Sequence, residues 1–199
     1  MDLLTQPRQG SCDGLPAWAA IRLVFTIMVF VPALPLCPGG SLLAQGAGEY
    51  EVKAAFLYKF ASFVEWPIGL TNGPLCIAVV GQDPFGSALD EVVKGKDVDG
   101  RGFQIKRFKP GQDTAGCHIV FISASEKGRM RAILAKLQGS GILTVSEIPG
   151  FCQAGGMIDF ELQDGKIRFE INPDAAERAK LKISSKLLSV ARISREGRP

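Results

Sequence analysis

The single histidine of the sequence lies where nucleophilic chemistry could be built. His118 directly follows Cys117 at the start of the apolar run Ile119–Ile122, and Cys–His or Ser–His–Asp units use such neighbours to activate a nucleophile. A histidine at the end of a buried strand has a simpler role as a hydrogen-bonded structural residue. A Cys117 that is held in a disulfide also supplies no thiolate. The pattern therefore favours a structural His118 over hydrolase chemistry.

The segment Gly81–Ser87 has the glycine spacing of a phosphate-binding loop that follows a strand. The lysine that would meet the β- and γ-phosphates is missing before Ser87, and Asp83 would repel a phosphate. A helix start explains the same residues, with Asp83 as the cap and Pro84 in the first helical position. Nucleotide hydrolysis is not indicated.

Several carboxylates fall on or near predicted strands, namely Glu147, Asp159, Glu161 and Glu170. Paired acids hydrolyse glycosides only when a fold holds them at a defined separation across a cleft. The alternation of Asp159 and Glu161 on one segment, and of Arg168 and Glu170 on the next, instead predicts an outward polar face with cross-strand pairs.

Composition narrows the function classes further. The 199 residues are 46% hydrophobic and 22% charged, which is typical of one globular domain with some extra chain and excludes a disordered protein. A net charge of only +3 argues against a nucleic-acid partner. One histidine and five cysteines leave little material for a metal site, and neither a metal nor another cofactor is predicted.

The first part of the chain has the pattern of a secretory signal peptide. Arg22 precedes the uncharged run Leu23–Val31, which is too short to span a bilayer and is followed by several prolines. We predict a signal peptide over residues 1–44, cut after Ala44. An uncleaved anchor and a lipoprotein signal that ends at Cys37 are the alternatives.

Export places the remaining thiols in an oxidising compartment. Cys12 and Cys37 would leave with the signal peptide, so Cys76, Cys117 and Cys152 remain, and three thiols cannot all pair. Cys76 and Cys117 each open an apolar run, so their sulfurs lie at the same end if the two strands are neighbours. We predict a Cys76–Cys117 disulfide and an unpaired thiol at Cys152.

Residues 48–193 alternate helical and strand patterns and contain no linker that would separate a second domain. The patterns predict, in order, a helix over 49–65, a strand over 75–80, a helix over 84–94, a strand over 118–122, a helix over 123–137, a strand over 142–145, a hairpin of 157–162 with 166–171, and closing helices from 172. The segment 103–108 is too short for a period to be assigned to it. The fold class is α/β: a single domain with a mixed β-sheet, helices on both faces, and a C-terminal hairpin plus helix. Residues 194–199 form a basic tail.

Aromatic residues at loop edges are candidate partner contacts, because aromatic side chains dominate binding hot spots. Phe63 lies on the apolar period of the first helix and is predicted to be core. Trp66 and Phe151 lie outside such a period, and Ile148–Cys152 is the favoured interface segment. Arg168, on the hairpin, is the third candidate contact.

Long blocks of the sequence resemble the YfiR family in the order that the family has them. The blocks are Glu49–Phe60, Phe63–Pro67, Gly141–Glu147, Gly155–Ile158, Lys166–Asn172 and Leu181–Leu188.

The resemblance implies a periplasmic, non-enzymatic regulator. Proteins of this family bind the periplasmic sensor domain of an inner-membrane diguanylate cyclase and hold it inactive, which lowers cyclic di-GMP and biofilm formation. An outer-membrane, peptidoglycan-linked lipoprotein relieves the inhibition, and family members often self-associate as homodimers. Cys76 and Cys117 stand where the family carries a stabilising disulfide, whereas Cys152 lacks the partner for a second bridge. A free buried thiol and an intermolecular bridge both remain open for Cys152.

The alternative function is a periplasmic small-ligand-binding module. Open α/β sheets bind ligands in crevices beyond the carboxyl ends of their strands. In this sequence that position corresponds to Gly81-Gln82-Asp83 and Ser123-Ala124-Ser125.

Overall fold

The computed structural model describes residues 41–67 and 73–194. Most of the predicted signal peptide, and the tail after Ser194, lie outside the described residues. The first described helix begins at Ser41, ahead of the periodicity that predicted its start at Glu49, and it passes through the predicted cleavage position after Ala44.

Five α-helices and one 3₁₀ helix are present in this part of the chain. The α-helices are α1 (Ser41–Phe63), α2 (Ala88–Val93), α3 (Met130–Leu137), α4 (Pro173–Arg178) and α5 (Ser185–Leu188), and the 3₁₀ helix is Ala124–Arg129. The strands are β1 (Val64–Glu65), β2 (Leu75–Val80), β3 (Asp97–Val98), β4 (Arg101–Phe108), β5 (Ile119–Ile122), β6 (Leu143–Ser146), β7 (Ile158–Gln163), β8 (Lys166–Ile171), β9 (Lys182–Ile183) and β10 (Arg192–Ile193).

Eight strands form one mixed sheet in the order β10-β8-β7-β6-β5-β2-β4-β3. The neighbours from β4 through β2, β5 and β6 to β7 are parallel, while β3 and β8 are antiparallel to their inner neighbours. β10 adds to β8 in parallel, and β1 pairs with β9 in a separate ribbon. The predicted mixed sheet with a C-terminal hairpin is confirmed.

The central strands divide the core between the two faces of the sheet. In β2, Ile77 and Val79 join the cluster that packs under α1, whereas Ala78 and Val80 join the cluster that contains Leu134 of α3. Successive side chains of a strand point to opposite faces, so these two clusters lie on opposite sides. The prediction of helices on both faces is confirmed.

Local signals explain where several elements begin and end. Asp164 and Gly165, a dipeptide typical of two-residue hairpin turns, both have positive φ, 50° and 70°. Asn172 caps α4 by accepting a hydrogen bond from the Ala175 amide at 3.0 Å. Asp83 accepts from the Phe85 amide at 2.8 Å, and the turn this creates delays α2 beyond its predicted start at residue 84.

The spacing of Ser123 and Glu126, a serine followed three residues later by a glutamate, is typical of a capping box, but the structure shows a different geometry at this helix start. The Ser123 hydroxyl accepts from the Ser125 amide, and the segment that follows is a 3₁₀ helix rather than an α-helical turn. The Glu126 carboxylate is bound to Arg129 and to the Ser125 hydroxyl instead of reaching back to Ser123.

Candidate functional site

The amino ends of β2 and β5 carry the disulfide. The strands are parallel neighbours, with Ile77 opposite Ile119. Cys76 and Cys117 are therefore adjacent: their Cα atoms are 4.6 Å apart and their sulfurs lie at disulfide distance. The sequence-based pairing of these two thiols agrees with this geometry.

His118 lies beside the disulfide and is held by its neighbours. Its Nδ1 accepts a hydrogen bond from the Cys76 amide at 3.0 Å, and its Nε2 lies 2.8 Å from the Arg101 guanidinium. The Trp66 indole packs edge-on against the imidazole and donates to the His118 carbonyl at 3.2 Å. His118 is only 3% exposed, and the thiol beside it is held in the disulfide, which supports the structural role.

The carboxyl ends of β2 and β5 form the switch point of the parallel sheet, where the sequence predicts a ligand crevice. Here the space is filled by protein. Ser125 and Glu126 lie so close to Gly81 that a Cβ on Gly81 would be 2.5 Å from the Ser125 hydroxyl oxygen, and the Gln82 amide donates to that oxygen at 3.0 Å. The adjacent cavity, of about 360 Å³, lies between residues 110–114 and α3.

The Asp83 carboxylate forms an ion pair with Arg107 within the protein. This carboxylate accepts from the Arg107 Nε at 2.6 Å, and Arg107 also pairs with Asp90 at 2.5 Å. Hydrogen bonds to Asp90 and Asp83 raise the pKa of Arg107. The hydrogen bond from Arg107 lowers the pKa of Asp90, so this arginine and this carboxylate both stay charged.

A second ionic network joins α1 to the end of β6. The Lys53 ammonium lies 2.5 Å from carboxylate oxygens of both Glu49 and Glu147, and the Tyr50 hydroxyl donates to Glu147 at 3.2 Å. Burial opposes the charged form of Lys53, but hydrogen bonds to Glu147 and Glu49 outweigh it and raise the Lys53 pKa. Burial and the Glu147 charge raise the pKa of Tyr50. Neither residue is therefore tuned to act as a general base near neutral pH.

The predicted polar face of the hairpin is only partly exposed. Arg168 stands opposite Glu161 and both reach the surface. Asp159 stands opposite Glu170, and these two side chains are buried, at 2% and 8% exposure. The prediction of an outward face is wrong for this second pair, because the loop of residues 148–156, here named the covering loop, folds over them.

Phe151 belongs to the core, so the prediction of an exposed contact at this residue is wrong. Its side chain is fully buried in the cluster under α3. The covering loop closes on itself through a 2.9 Å hydrogen bond from the Gly156 amide to the Phe151 carbonyl. Gly156 allows the close approach, since a Cβ there would be 2.2 Å from the ring.

Cys152 is a free and fully buried thiol within the described residues. Its sulfur lies 3.6 Å from the Met157 carbonyl oxygen, and burial, with the nearby Asp159 and Glu170 charges, raises its pKa. Of the two options left open for Cys152, this environment favours the free buried thiol over a bridge between two copies.

An exposed apolar surface lies where α1 crosses the hairpin and the C-terminal residues. The large hydrophobic side chains exposed in the described residues are Val52, Leu162, Val190 and Ile193. Val190 lines a groove of about 510 Å³ together with Phe56, Ile167 and Arg168. We name these seven residues the hairpin surface.

The register of the strands places Leu162, Ile167 and Ile193 on the face of the sheet that packs against α1, whereas Arg168, which stands opposite Glu161, alternates to the other face. Leu162 stands opposite Ile167 in the hairpin, and Ile193 stands opposite Ile171. Val52 lies one helical turn before Phe56 on α1, so both face the same way.

Only Arg168 of the three predicted partner contacts belongs to the hairpin surface. Trp66 lies at the amino end of the sheet beside His118, and Phe151 is inside the molecule. Sequence reasoning missed Val190 and Ile193, which stand among basic residues in the C-terminal stretch of the sequence. Isolated apolar residues within that charged stretch were the available signal.

Within residues 41–67 and 73–194, no helix combines the length and apolar character that crossing a bilayer requires.

A comparison with protein-family models agrees with the sequence blocks. Residues 50–192 match the model described as YfiR/HmsC-like. The match covers most of the chain, including both sheet faces and the whole hairpin. The chain therefore belongs to the YfiR/HmsC-like family, whose members are periplasmic, non-catalytic regulators of cyclic di-GMP signalling.

Proposed function

We propose that this protein binds the periplasmic sensor domain of an inner-membrane diguanylate cyclase and inhibits the enzyme, thereby lowering cyclic di-GMP. The observation that carries the proposal is the family match over residues 50–192. An outer-membrane, peptidoglycan-linked lipoprotein is the proposed releasing partner. Self-association as a homodimer is part of the same proposal.

Inhibition by binding requires a difference in affinity between two states of the cyclase. The protein must bind the inactive arrangement of the sensor more tightly than the active one, because equal binding would shift no population. A second partner that competes for the protein then restores activity. No chemistry on the nucleotide is needed for this mechanism.

The chemistry of the polar side chains fits a binding role. Lys53 and Tyr50 are held in their ordinary protonation states, His118 is hydrogen-bonded within the fold, and the Cys152 thiol is buried. A catalytic set would need at least one accessible group poised to exchange a proton or attack a substrate.

The hairpin surface is the proposed contact for the sensor domain. Its apolar side chains are unusually exposed, with Val190 at 69% and Leu162 at 59%, and contiguous exposed apolar patches mark interaction sites. Arg168 lines the groove next to Ile167 and adds a cation at the margin of the patch, and arginine is enriched among residues that dominate binding energy. The contact would therefore combine an apolar centre with one directional charge.

The test is a pull-down from solubilised envelope with the mature, tagged protein as bait, followed by mass spectrometry. The proposal predicts recovery of a membrane protein that has a periplasmic sensor and a cytoplasmic cyclase domain. Val190→Glu and Arg168→Glu should each reduce the recovery at least tenfold. Lys127→Glu, an exposed change on the opposite face, serves as the matched control and should retain it. Failure of folded, oxidised bait to recover any cyclase would contradict the proposal.

A small-ligand function is the second candidate, and the cavity of about 360 Å³ beside the switch point favours it. Apolar wall residues such as Ile133 and Leu137 and the rim charges of Arg129 and Lys136 suit a compact amphipathic molecule. Thermal-shift screening against periplasmic metabolites tests this candidate separately. A screen without any stabilising compound removes the ligand function and leaves the cyclase proposal untouched.

A further inference from the structure

Two carboxyl groups face each other inside the hairpin. The β7–β8 register places Asp159 directly opposite Glu170, and side chains in such positions have Cβ atoms about 5 Å apart on the same face. Both residues are almost fully buried. Two adjacent buried anions are costly, so a proton is expected to be retained by one member of the pair.

The hydrogen bonds indicate which member holds the proton. Glu170 receives the Arg192 Nε at 2.8 Å and the Gln153 amide at 3.2 Å, which are partners for a carboxylate. Asp159 accepts only from the Phe151 amide, at 3.3 Å, and its Oδ1 is a buried polar atom without a partner among the described residues. Burial raises the pKa of Asp159 to about 7, and the Glu170 charge adds to this effect against the Phe151 hydrogen bond.

The same pair connects three segments of the chain. Arg192 belongs to β10 and is also paired with Glu161 on the hairpin. Gln153, from the covering loop, donates to Ser194 at 3.1 Å, and the Ser194 amide donates to the Ile171 carbonyl at 2.8 Å. The hairpin, the covering loop and the last described strand therefore meet at Asp159 and Glu170.

We propose that Asp159 and Glu170 form a proton-operated latch that fastens the covering loop and β10 to the hairpin. With Asp159 protonated, Glu170 is the single anion of the pair and holds Arg192 and Gln153. Loss of the Asp159 proton to solvent leaves two facing anions in a buried site. Water then enters to solvate them, which loosens the covering loop and β10.

The other charges near Asp159 and Glu170 determine how strongly the two carboxylates repel each other. Arg192 opposes the repulsion between the two anions, while Glu147 adds to it and is itself neutralised by Lys53. Groups that face Asp159 from the packed elements are Glu147 after β6, Glu161 on β7, Glu170 on β8, Arg192 on β10 and Cys152 in the covering loop. Arg192 cannot fully neutralise both Asp159 and Glu170, because its guanidinium already forms ion pairs with Glu161 and Glu170.

Hydrogen exchange of the mature protein at acidic and alkaline pH tests the latch. After correction for intrinsic exchange, we expect protection of residues 148–156 and 185–194 to fall roughly tenfold or more between pH 5.5 and pH 8. Asp159→Asn, which mimics the protonated acid, should keep its protection across this range. Equal protection of the wild type at both pH values, or equal losses in wild type and variant, would overturn the proposal.

Two further measurements separate the latch from simpler effects. Glu161→Gln removes the more exposed partner of Arg192 and should leave the pH dependence intact. If it abolishes that dependence as fully as Asp159→Asn does, the surface pair is responsible and the latch is wrong. Should Asp159→Asn fail to fold, a carboxyl ¹³C titration of the wild type decides. An aspartate that titrates near pH 7 supports the latch, and its absence refutes it.

Discussion

Lys53 on α1 and Glu147 at the end of β6 form a 2.5 Å ion pair whose side chains are only 5% and 12% exposed. The pair ties the first helix to the carboxyl end of the sheet. Each of the two buried charges is stabilised by the other, so removing one side chain leaves the opposite charge buried without this partner.

Lys53→Met should lower the free energy of unfolding by about 3 to 5 kcal/mol, the typical cost of breaking a buried pair. Adding Glu147→Gln should recover part of that loss, because the uncompensated anion is removed. Urea denaturation of the single and double variants measures both effects. Lys94→Ala is the control, since Lys94 pairs with Glu91 at the surface and should matter by less than about 0.5 kcal/mol. Equal losses for the Lys53 and Lys94 variants would contradict the account.

The Cys76–Cys117 disulfide closes a sequence separation of 41 residues. The loop-entropy model assigns such a bridge about 4 kcal/mol. Replacing both cysteines with alanine should therefore reduce unfolding free energy by approximately this amount, measured in denaturant under oxidising conditions. Reduction of the wild type should have a similar effect. An unchanged midpoint after complete reduction, verified by mass spectrometry, would show that the bridge does not stabilise the fold.

Gly156 leaves room for the Phe151 ring, and a side chain there would overlap it. Gly156→Ala should destabilise the protein by about 2 to 3 kcal/mol through overpacking. The matched variant Gly102→Ala places a methyl group where no atom lies within 4 Å and should change stability by less than about 0.5 kcal/mol. Thermal denaturation of both variants provides the comparison. Similar melting temperatures would argue against close packing of the covering loop.

Because its pKa is raised in the folded protein, the Asp159 carboxyl should make the free energy of unfolding depend on pH. Its pKa is about 7 in the folded protein against 3.8 as the ordinary value. A raised folded pKa contributes stability that is fully present below pH 3.8 and is lost as the pH rises through 7. The wild type should therefore lose unfolding free energy relative to Asp159→Asn as the pH rises from 3.8 to about 7. A constant difference from pH 4 to 8 would contradict it.

Much of the fold could be predicted because its signals are local. Leu75–Val80 is an apolar run bounded by turn residues, and it forms β2 with those bounds. Asp164-Gly165 dictates a two-residue turn, and Asn172 supplies a cap. The Cys76–Cys117 pairing was predicted on the condition that the two strands are neighbours, and the structure meets that condition because β2 and β5 are parallel neighbours.

The site could not be predicted as well because it depends on what covers each surface. Alternation along β7 and β8 correctly groups Asp159 with Glu170 on one face, yet it does not reveal that the covering loop buries that face. Phe151 has no apolar period to mark it as core, since its burial comes from a non-repetitive loop. Val190 and Ile193 were missed for the converse reason, because no later segment within the described residues covers them.

The central claim is that this protein restrains a cyclase, and cellular cyclic di-GMP tests it most directly. Deleting the gene should raise the nucleotide severalfold, and the wild-type gene should restore the original level. Val190→Glu protein, present at equal abundance, should fail to restore it, whereas Lys127→Glu should succeed. Levels that remain unchanged on deletion, under several envelope stresses, would contradict the account.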